Sequence, residues 1–234
     1  MTENVIVLHL MVLRTTVRTH FVNLMILIAA VLWESSNPVG AEPRVAVTIK
    51  PIHSLVSSVM GKVATPELVW DGASTPHGGH LRPSQVRMIA KADVVFHIAD
   101  GLETGLKEYF NARRASGAIV ASLIDTPGLV VLPVREGGVW PDHDDHPSEY
   151  GEAHSEHAAV QDPHIWLDPQ NAKAMVPYIA SVLAKADPAN AQTYRINAAG
   201  MISKLNALGR EIADKLQPVR DRPFVVFHDA YQYF

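Results

Sequence analysis

Residues 44–61 read RVAVTIKPIHSLVSSVMG, and this stretch predicts the first strand and the first helix of a repeating α/β unit. Arg44 to Ile49 are rich in β-branched side chains, which favour a strand. Pro51 is typical of the first turn of a helix, and Gly61 is typical of a helix end. Apolar residues recur between them at helical spacing, so one face of this helix is expected to pack against the sheet.

The same alternation of short apolar strands and helices continues downstream. Further strands are predicted at Pro66–Trp70, Val94–Ile98 and Ala118–Leu123, and further helices from Pro83 and over Leu102–Phe110. Apart from His97, Val94–Ile98 is apolar, as expected for a parallel strand that is covered on both faces. The sequence therefore predicts an α/β fold in which helices flank a parallel β-sheet. Ligands of such sheets bind at the carboxyl ends of the strands.

Two more helices and one more strand are predicted after this sheet. The first helix covers about Pro169–Ala186, and the second runs from Pro188 to about Leu216 without an internal proline. At 1.5 Å per residue the second helix spans roughly 40 Å. Its apolar stripe is predicted to comprise Ile196, Ala199, Ile202, Leu205, Leu208, Ile212 and Leu216. Phe224–Phe227 predicts a strand that either pairs with the first sheet or begins a second lobe.

These elements divide the chain of 234 residues into four predicted segments. Residues 1–41 are expected to be a signal peptide, and residues 42–187 an N-terminal α/β lobe. Residues 188–217 are expected to form a long linking helix, and residues 218–234 the beginning of a C-terminal lobe. On this division the second lobe is incomplete, and the chain is expected to be truncated at its carboxyl end.

The N-terminal segment has the pattern of a secretory signal. Arg14 and Arg18 precede an apolar run of 13 residues, Phe21–Trp33, and small residues lead to a predicted cleavage after Ala41. A membrane span needs about 20 apolar residues, so an uncleaved anchor is the less favoured alternative. The sequence contains no cysteine, which excludes disulfides, thiolate ligands and a lipid-modified N-terminal cysteine. We therefore expect an exported protein that is not lipid-anchored.

Histidine is the unusual component of the composition. Twenty basic and 24 acidic side chains give a net charge of -4, which argues against a nucleic-acid surface. Of the 12 histidines, four lie in the stretch 140–157, namely His143, His146, His154 and His157. This stretch also has six acidic side chains and no Lys or Arg, so it predicts a solvated loop. The loop is expected to bind metal weakly, and the alternative is a linker without a metal role.

Three other histidines lie in short, polar, turn-rich segments beside predicted strand ends. They are His77 in TPHGGHLRPS, His164 in DPHIWLDP and His228 in FVVFHDAY. Neutral imidazole is the commonest metal ligand and suits zinc. A single histidine of this kind is more commonly a surface or capping residue, but three in matching contexts favour a metal site. Asp162 and Asp168 flank His164, and either is able to accept its second ring N–H, as metal-bound histidine usually requires.

The remaining histidines and acids are weaker candidates for a role in a metal site. Asp229 is expected to accept a hydrogen bond from its neighbour His228. His80 is either a further ligand beside His77 or a solvent-facing residue. His53 begins a helix and is expected to contact only the backbone, whereas His97 lies in an apolar strand and is expected to be a core residue. No HExxH pair is present, which argues against a zincin protease.

Six segments of the chain, taken in sequence order, resemble those of the metal-binding receptors of bacterial ABC transporters. Among these receptors, they resemble the periplasmic zinc-binding, ZnuA-like proteins. The similar segments are TIKPIHSLV at 48–56, GASTPHGGHLRPSQV at 72–86, KADVVFHIADGLE at 91–103, the histidine- and acid-rich loop at 142–157, DPHIWLDPQNA at 162–172 and FVVFHDAYQYF at 224–234. DPHIWLDP and FHDAYxYF are highly specific to this family. The resemblance implies two α/β lobes joined by one long helix, with a metal ion in the cleft between them.

The resemblance also implies a ligand set. Carried over residue by residue, the metal ligands are His77, His164 and His228. Related manganese receptors carry a carboxylate at the third position, so His228 favours Zn²⁺. The fourth ligand stays open among His80, Glu103, an acid outside this chain and water. Relatives often read HDYxLRPS where this chain reads HGGHLRPS, which makes His80 an unusual candidate.

The function implied by the resemblance is capture without catalysis. A monomeric receptor is expected to bind zinc in the periplasm and to deliver it to the membrane permease of an ABC transporter. One alternative is a receptor or adhesin for manganese or another divalent metal, and another is a metal buffer that uses the histidine-rich loop. A third is a hydrolase or lyase whose three histidines hold a catalytic zinc. The enzyme is disfavoured because the three motifs place no obvious general base.

Overall fold

The computed structural model describes residues 42–72, 76–77, 81–135, 161–226 and 228–234. The expected signal peptide, His80 and the histidine- and acid-rich loop lie outside these residues. Within the described part, the strands are β1 (Val45–Val47), β2 (Glu67–Leu68), β3 (Val94–His97) and β4 (Ile119–Ser122). They pair in parallel in the order β2-β1-β3-β4, and all described residues fall within one compact unit, Glu42–Phe234.

Helices flank this sheet, which confirms the predicted α/β fold. In the described ranges they are α1 (Lys50–Met60), α2 (Pro83–Lys91), α3 (Lys107–Ala115), α4 (Pro169–Ala186) and α5 (Ala191–Leu216). Helices α1, α4 and α5 pack together, whereas α2 packs against α3. None of the helices in this part of the chain is long and apolar enough to cross a membrane.

Local signals in the sequence explain where two of the helices begin and end. Helix α1 has Pro51 in its first turn and is followed by the capping residue Gly61, whose φ of 60° is a conformation that glycine adopts without strain. Helix α4 starts after Asp168, whose carboxylate accepts a hydrogen bond from the Gln170 backbone N–H at 2.7 Å, and Pro169 occupies its first position. Helix α4 therefore has the predicted bounds.

The centre of the core is formed by the two inner strands. Every residue of β1 and β3 is buried, including Phe96, whereas the residues of the outer strands β2 and β4 are mostly exposed or half-buried. Phe110 of α3 is fully buried and packs against the ring of His97, with the ring centroids 4.3 Å apart. An apolar, fully buried inner strand is typical of a parallel sheet that is covered on both faces.

Two histidines of the core region differ in how they are held. His97 is fully buried, as predicted for a core residue. Its Nδ1 atom lies 3.9 Å from the carboxylate of Glu103 and 4.0 Å from that of Asp100. The expectation that His53 contacts only the backbone is wrong. His53 is half-buried, its Nε2 atom lies 2.9 Å from the Pro66 carbonyl oxygen, and its Nδ1 atom lies 3.4 Å from the Ser57 hydroxyl.

The predicted apolar stripe of the long helix is partly wrong. Tyr194, Ala198 and Leu205 are the buried residues of α5, whereas Ile196 is 61% exposed and Leu208 is 45% exposed. Buried residues follow the side of α5 that contacts α1 and α4, and Ile196 is two positions from Tyr194, which places it on another face. The first turn predicted from Pro188 is a 3-10 turn, Pro188–Asn190, that precedes α5.

The strand predicted at Phe224–Phe227 is also wrong in its described part. Phe224 to Val226 adopt irregular structure, Val225 is 99% exposed, and Phe227 lies outside the described residues. A strand is stable only when a neighbour pairs with its backbone N–H and C=O groups. Among the described residues, the sheet contains only β1 to β4, so this segment does not pair with it.

Replacing Tyr194 with phenylalanine is expected to lower the free energy of unfolding by about 1–3 kcal/mol, because it leaves a buried hydrogen-bond acceptor with one donor fewer. The Tyr194 hydroxyl donates to the Asp187 carboxylate at 2.7 Å, where α4 ends and α5 approaches. Burial and this bond raise the pKa of the Tyr194 hydroxyl, so it stays protonated as a donor at neutral pH. Urea denaturation followed by circular dichroism measures the loss.

The matched control is Tyr109→Phe in α3, because Tyr109 is exposed. This change is expected to alter the free energy of unfolding by less than about 0.5 kcal/mol. Equal effects of the two changes would show that the hydrogen bond between Tyr194 and Asp187 does not stabilise the connection between α4 and α5.

Candidate metal centre

The three histidines of the matching motifs lie together, although 151 residues separate the first from the last. Each of His77, His164 and His228 offers one ring nitrogen, and these nitrogens all lie within 4.8 Å of one another. The Nε2 atoms of His164 and His228 are 3.1 Å apart. The ring centroids are 5.0 Å apart for His164 and His228, 5.4 Å for His77 and His228, and 5.6 Å for His77 and His164.

This spacing suits one small cation. Zinc–nitrogen bonds of about 2.0–2.1 Å in a tetrahedral site place neighbouring nitrogens about 3.3 Å apart. The observed 3.1 Å between the Nε2 atoms of His164 and His228 is close to that value. Three imidazole nitrogens of a tetrahedral set leave one position for a further ligand, which fits the chemistry of zinc.

Of the three histidines, only His77 lies in the connection that directly follows a strand of the described sheet. His77 lies between β2 and α2, and His164 immediately precedes a 3-10 turn, Ile165–Leu167, that leads into α4. His228 follows the irregular segment described above. His164 is buried, whereas His77 and His228 are exposed. The buried histidine therefore has the most restricted surroundings, and the other two complete the cluster from the solvent side.

Asp162 determines the orientation of the buried histidine. Its Oδ1 atom lies 2.6 Å from Nδ1 of His164 and accepts the backbone N–H of His164 at 3.0 Å. An ionised carboxylate only accepts hydrogen bonds, so the His164 proton resides on Nδ1 and the lone pair of the neutral ring is on Nε2. This tautomer presents Nε2 to the cluster, where the nitrogen of His228 also lies.

The charge state of Asp162 follows from its contacts. Burial alone would raise the pKa of the Asp162 carboxyl, but hydrogen bonds from the His164 ring, the His164 backbone and the Gln232 amide outweigh burial and lower it. Asp162 is therefore ionised at neutral pH and remains an acceptor for the His164 ring. A metal-bound histidine usually has such an acceptor on its second ring nitrogen, which also increases the basicity of the ligand.

Two residues near the end of the chain join this network, and sequence reasoning missed them. The Gln232 amide donates to Oδ2 of Asp162 and to the Pro133 carbonyl oxygen, the latter at 3.0 Å. The Tyr233 hydroxyl donates to the Asp162 carbonyl oxygen at 2.7 Å and accepts the Leu132 backbone N–H at 3.0 Å. Both residues lie in the motif FHDAYQYF, but no spacing in the sequence indicates which backbone groups they contact.

The other acids that sequence reasoning considered have separate roles. Asp168 caps α4 and is therefore not the residue that accepts the His164 ring N–H. Asp229 lies 3.5 Å from the guanidinium of Arg135. These contacts leave Asp162 as the acid that the structure pairs with His164.

Glu103 lies at the carboxyl ends of the inner strands and is fully buried. Its Oε1 atom accepts the Thr48 hydroxyl at 2.7 Å and the Ile98 backbone N–H at 3.0 Å, and its Oε2 atom accepts the Ala99 backbone N–H at 3.1 Å. Glu103 does not belong to the group of ligand atoms that the described residues form around His164. Both of its oxygens are already engaged by the segments that follow β1 and β3.

An open cavity of about 620 Å³ lies on one side of Asp229. It is lined by Arg135, Arg222, Pro223, Phe224, Val225, Val226, Asp229 and Tyr231. The three histidines do not line it, so the cavity is distinct from the candidate metal centre.

Comparison with known proteins gives a consistent result. The model of the family described as "zinc-uptake complex component A periplasmic" matches residues 45–234. The protein named high-affinity zinc uptake system protein ZnuA of Brucella abortus is 40% identical over 220 residues, which cover 85% of this chain and 66% of that protein. The ZnuA of Paracoccus denitrificans is 33% identical over 241 residues, covering 89% of this chain and 68% of that protein.

A solved structure agrees with these sequence matches. The crystal structure of a ZnuA mutant that lacks residues 138–173 of its own numbering, with zinc bound, superposes with a TM-score of 0.66 at 26% identity. The match covers 82% of this chain and 65% of that one. This chain thus spans about two thirds of the length of each of these three relatives.

The fold and the matched range place this chain among the solute-binding proteins. The chain belongs to the family of the periplasmic zinc-uptake component ZnuA.

Proposed function

We propose that this chain is a zinc receptor, which binds Zn²⁺ through His77, His164 and His228 and passes it to the membrane permease of an ABC transporter. The observation that carries the proposal is the cluster of three imidazole nitrogens, within 4.8 Å of one another, around a histidine whose tautomer Asp162 sets. The relatives named as high-affinity zinc uptake proteins support zinc as the cargo.

Capture and release both need a site that is tight but open to exchange. Neutral imidazoles bind zinc through single nitrogens, and a fourth position that water occupies permits ligand exchange. His77 and His228 are exposed, so the ion is able to enter and leave from their side, while buried His164 holds the fixed end of the site. His80 and water remain candidates for the fourth position, whereas both Glu103 oxygens are engaged by protein donors.

The place of action that we propose is the periplasm. The predicted signal pattern, with cleavage after Ala41, and the periplasmic description of the family support export. The absence of cysteine in the sequence is consistent with a receptor that has no N-terminal lipid on a cysteine side chain. We further propose that the receptor acts as a monomer.

Manganese is the alternative cargo, and the donor set argues against it. Manganese suits carboxylate, carbonyl and water ligands, whereas imidazole suits zinc. The group of ligand atoms found among the described residues consists of three histidines and includes no carboxylate. Competition between the two metals at equal concentration distinguishes these cargoes, and zinc is expected to displace manganese.

Deletion of residues 142–157 tests whether the histidine cluster or the acidic loop holds the tight site. The intact protein and the deleted protein are both expected to bind one zinc ion tightly, because the three histidines and Asp162 lie outside the deletion. Only the intact protein is expected to bind additional zinc weakly, through His143, His146, His154 and His157. Calorimetric titration with a competing chelator measures both stoichiometries at pH 7.5.

One outcome of this titration would contradict the proposed receptor, and another would contradict only the metal role of the loop. Loss of the tight site in the deleted protein would favour the metal buffer, in which the loop is the main site. Equal stoichiometry in both proteins would leave the loop without a metal role and would leave the tight site intact. The matched control replaces the same residues with a Gly/Ser segment of equal length, which preserves the spacing of the flanking segments.

A further inference from the structure

The last seven residues of the chain contribute to the candidate centre in two ways. His228 supplies a ring nitrogen directly. Gln232, four residues later, donates its amide to Oδ2 of Asp162 and to the Pro133 carbonyl oxygen. One short segment therefore carries one histidine of the cluster and also contacts the acid that orients another.

The hydrogen bonds of Asp162 show why the second contribution matters. Its Oδ1 atom is occupied by the ring and the backbone of His164, at 2.6 Å and 3.0 Å. Its Oδ2 atom accepts from Gln232. With both oxygens engaged, the carboxylate plane cannot rotate without breaking a bond, so Asp162 keeps one orientation towards Nδ1 of His164.

We propose that Gln232 is a positioning residue of the metal site, which fixes the Asp162 carboxylate and thereby holds His164 with Nε2 facing His228. This inference rests on the proposed zinc site. It explains how two of the three histidines are set together, because docking of the segment 228–234 brings His228 to the cluster and completes the hydrogen bonds of Asp162.

The expected size of the effect follows from the number of bonds between Gln232 and the metal. Loss of a group that directly orients a metal-bound histidine typically costs 10–100-fold in metal affinity. Gln232 is one hydrogen bond further away, so its loss is expected to weaken zinc binding by about tenfold, at the lower end of that range. Replacement by methionine preserves the length of the side chain but removes both N–H donors.

The test compares Gln232→Met with Tyr233→Phe, both in the chain as it stands. Long-range ¹H–¹⁵N NMR of the metal-free proteins at pH 7.5 reports which His164 ring nitrogen carries the proton. Gln232→Met is expected to convert His164 from the Nδ1–H form to a mixture of tautomers and to weaken zinc binding about tenfold. Tyr233→Phe removes the hydroxyl that holds the Leu132 and Asp162 backbones but leaves the carboxylate bonds in place. It is expected to keep the Nδ1–H form.

A double-mutant cycle with Asp162→Ala distinguishes positioning from general destabilisation. If Gln232 acts through Asp162, Gln232→Met has almost no further effect on zinc affinity once Asp162 is alanine. Additive losses, or an unchanged tautomer and affinity in Gln232→Met, would overturn the inference. Gln232→Ala is the second variant if the methionine protein does not fold. The NMR readout needs no metal, so it remains decisive even if the unmodified protein fails to bind zinc, which would contradict the proposed function alone.

Discussion

Replacement of His164 with alanine is expected to weaken zinc binding by more than about 100-fold, because loss of a group that merely orients a ligand already costs 10–100-fold. His164 is the buried member of the cluster, and its Nε2 atom lies 3.1 Å from Nε2 of His228. Without it, two exposed histidines remain, and neither has comparable burial. Competition against a chromophoric chelator at pH 7.5 measures the change in affinity.

The matched control for this change is His53→Ala. His53 is also a partly buried histidine, but its Nε2 atom contacts the Pro66 carbonyl oxygen and it lies outside the cluster. Its replacement is expected to leave zinc affinity unchanged within about twofold, which is within the usual scatter of about 0.5 kcal/mol for a change away from the site. Unaltered zinc affinity in the His164→Ala protein would refute the assignment of the site.

Elements with strong local signals were predictable from the sequence. Helix α4 has the predicted bounds because Asp168 and Pro169 specify its start through a side-chain cap and a fixed φ angle. Strands β1 and β3 form within the predicted ranges, because apolar β-branched runs of this length have few alternatives in a covered parallel sheet. Strand β1 is three residues shorter than its predicted range and β3 is one residue shorter, since pairing with the neighbouring strand determines where a strand stops.

Features that depend on distant contacts were not predictable in the same way. Phe224 to Val226 have the composition of a strand, but a strand forms only beside a partner, and the composition carries no information about one. In α5, apolar residues lie on more than one face, so spacing alone did not identify Tyr194 rather than Ile196 as the buried position. Packing of α5 against α1 and α4 determines which of its residues are buried.

The candidate site also combines residues that local sequence signals indicate with residues that only distant contacts identify. The three histidines stood out from their polar, turn-rich segments, and the structure brings them together. The sequence offered Asp162 and Asp168 equally as the partner of His164, and only the cap of α4 separates them. Gln232 gave no signal, because its proposed role depends on a contact with Asp162, 70 residues earlier.

Replacement of Glu103 with alanine is expected to lower the free energy of unfolding by about 3–5 kcal/mol, since each buried donor that loses its acceptor costs about 1–3 kcal/mol. The carboxylate accepts three hydrogen bonds, from the Thr48 hydroxyl and from the backbone N–H groups of Ile98 and Ala99. These donors follow β1 and β3, so Glu103 joins the carboxyl ends of the two inner strands. Urea denaturation of the metal-free protein measures the loss.

Two further variants separate this structural role from a role as the fourth metal ligand. Glu108→Ala removes an exposed acid in the first turn of α3 and is expected to change the unfolding free energy by less than about 0.5 kcal/mol. Glu103→Gln retains one acceptor oxygen and the side-chain volume, and is expected to keep the zinc affinity of the unmodified protein. That expectation follows because both Glu103 oxygens are engaged by protein donors and Glu103 stands outside the histidine group. A folded Glu103→Gln protein with zinc affinity reduced by 10-fold or more, as loss of a metal-site residue produces, would instead assign Glu103 to the ion.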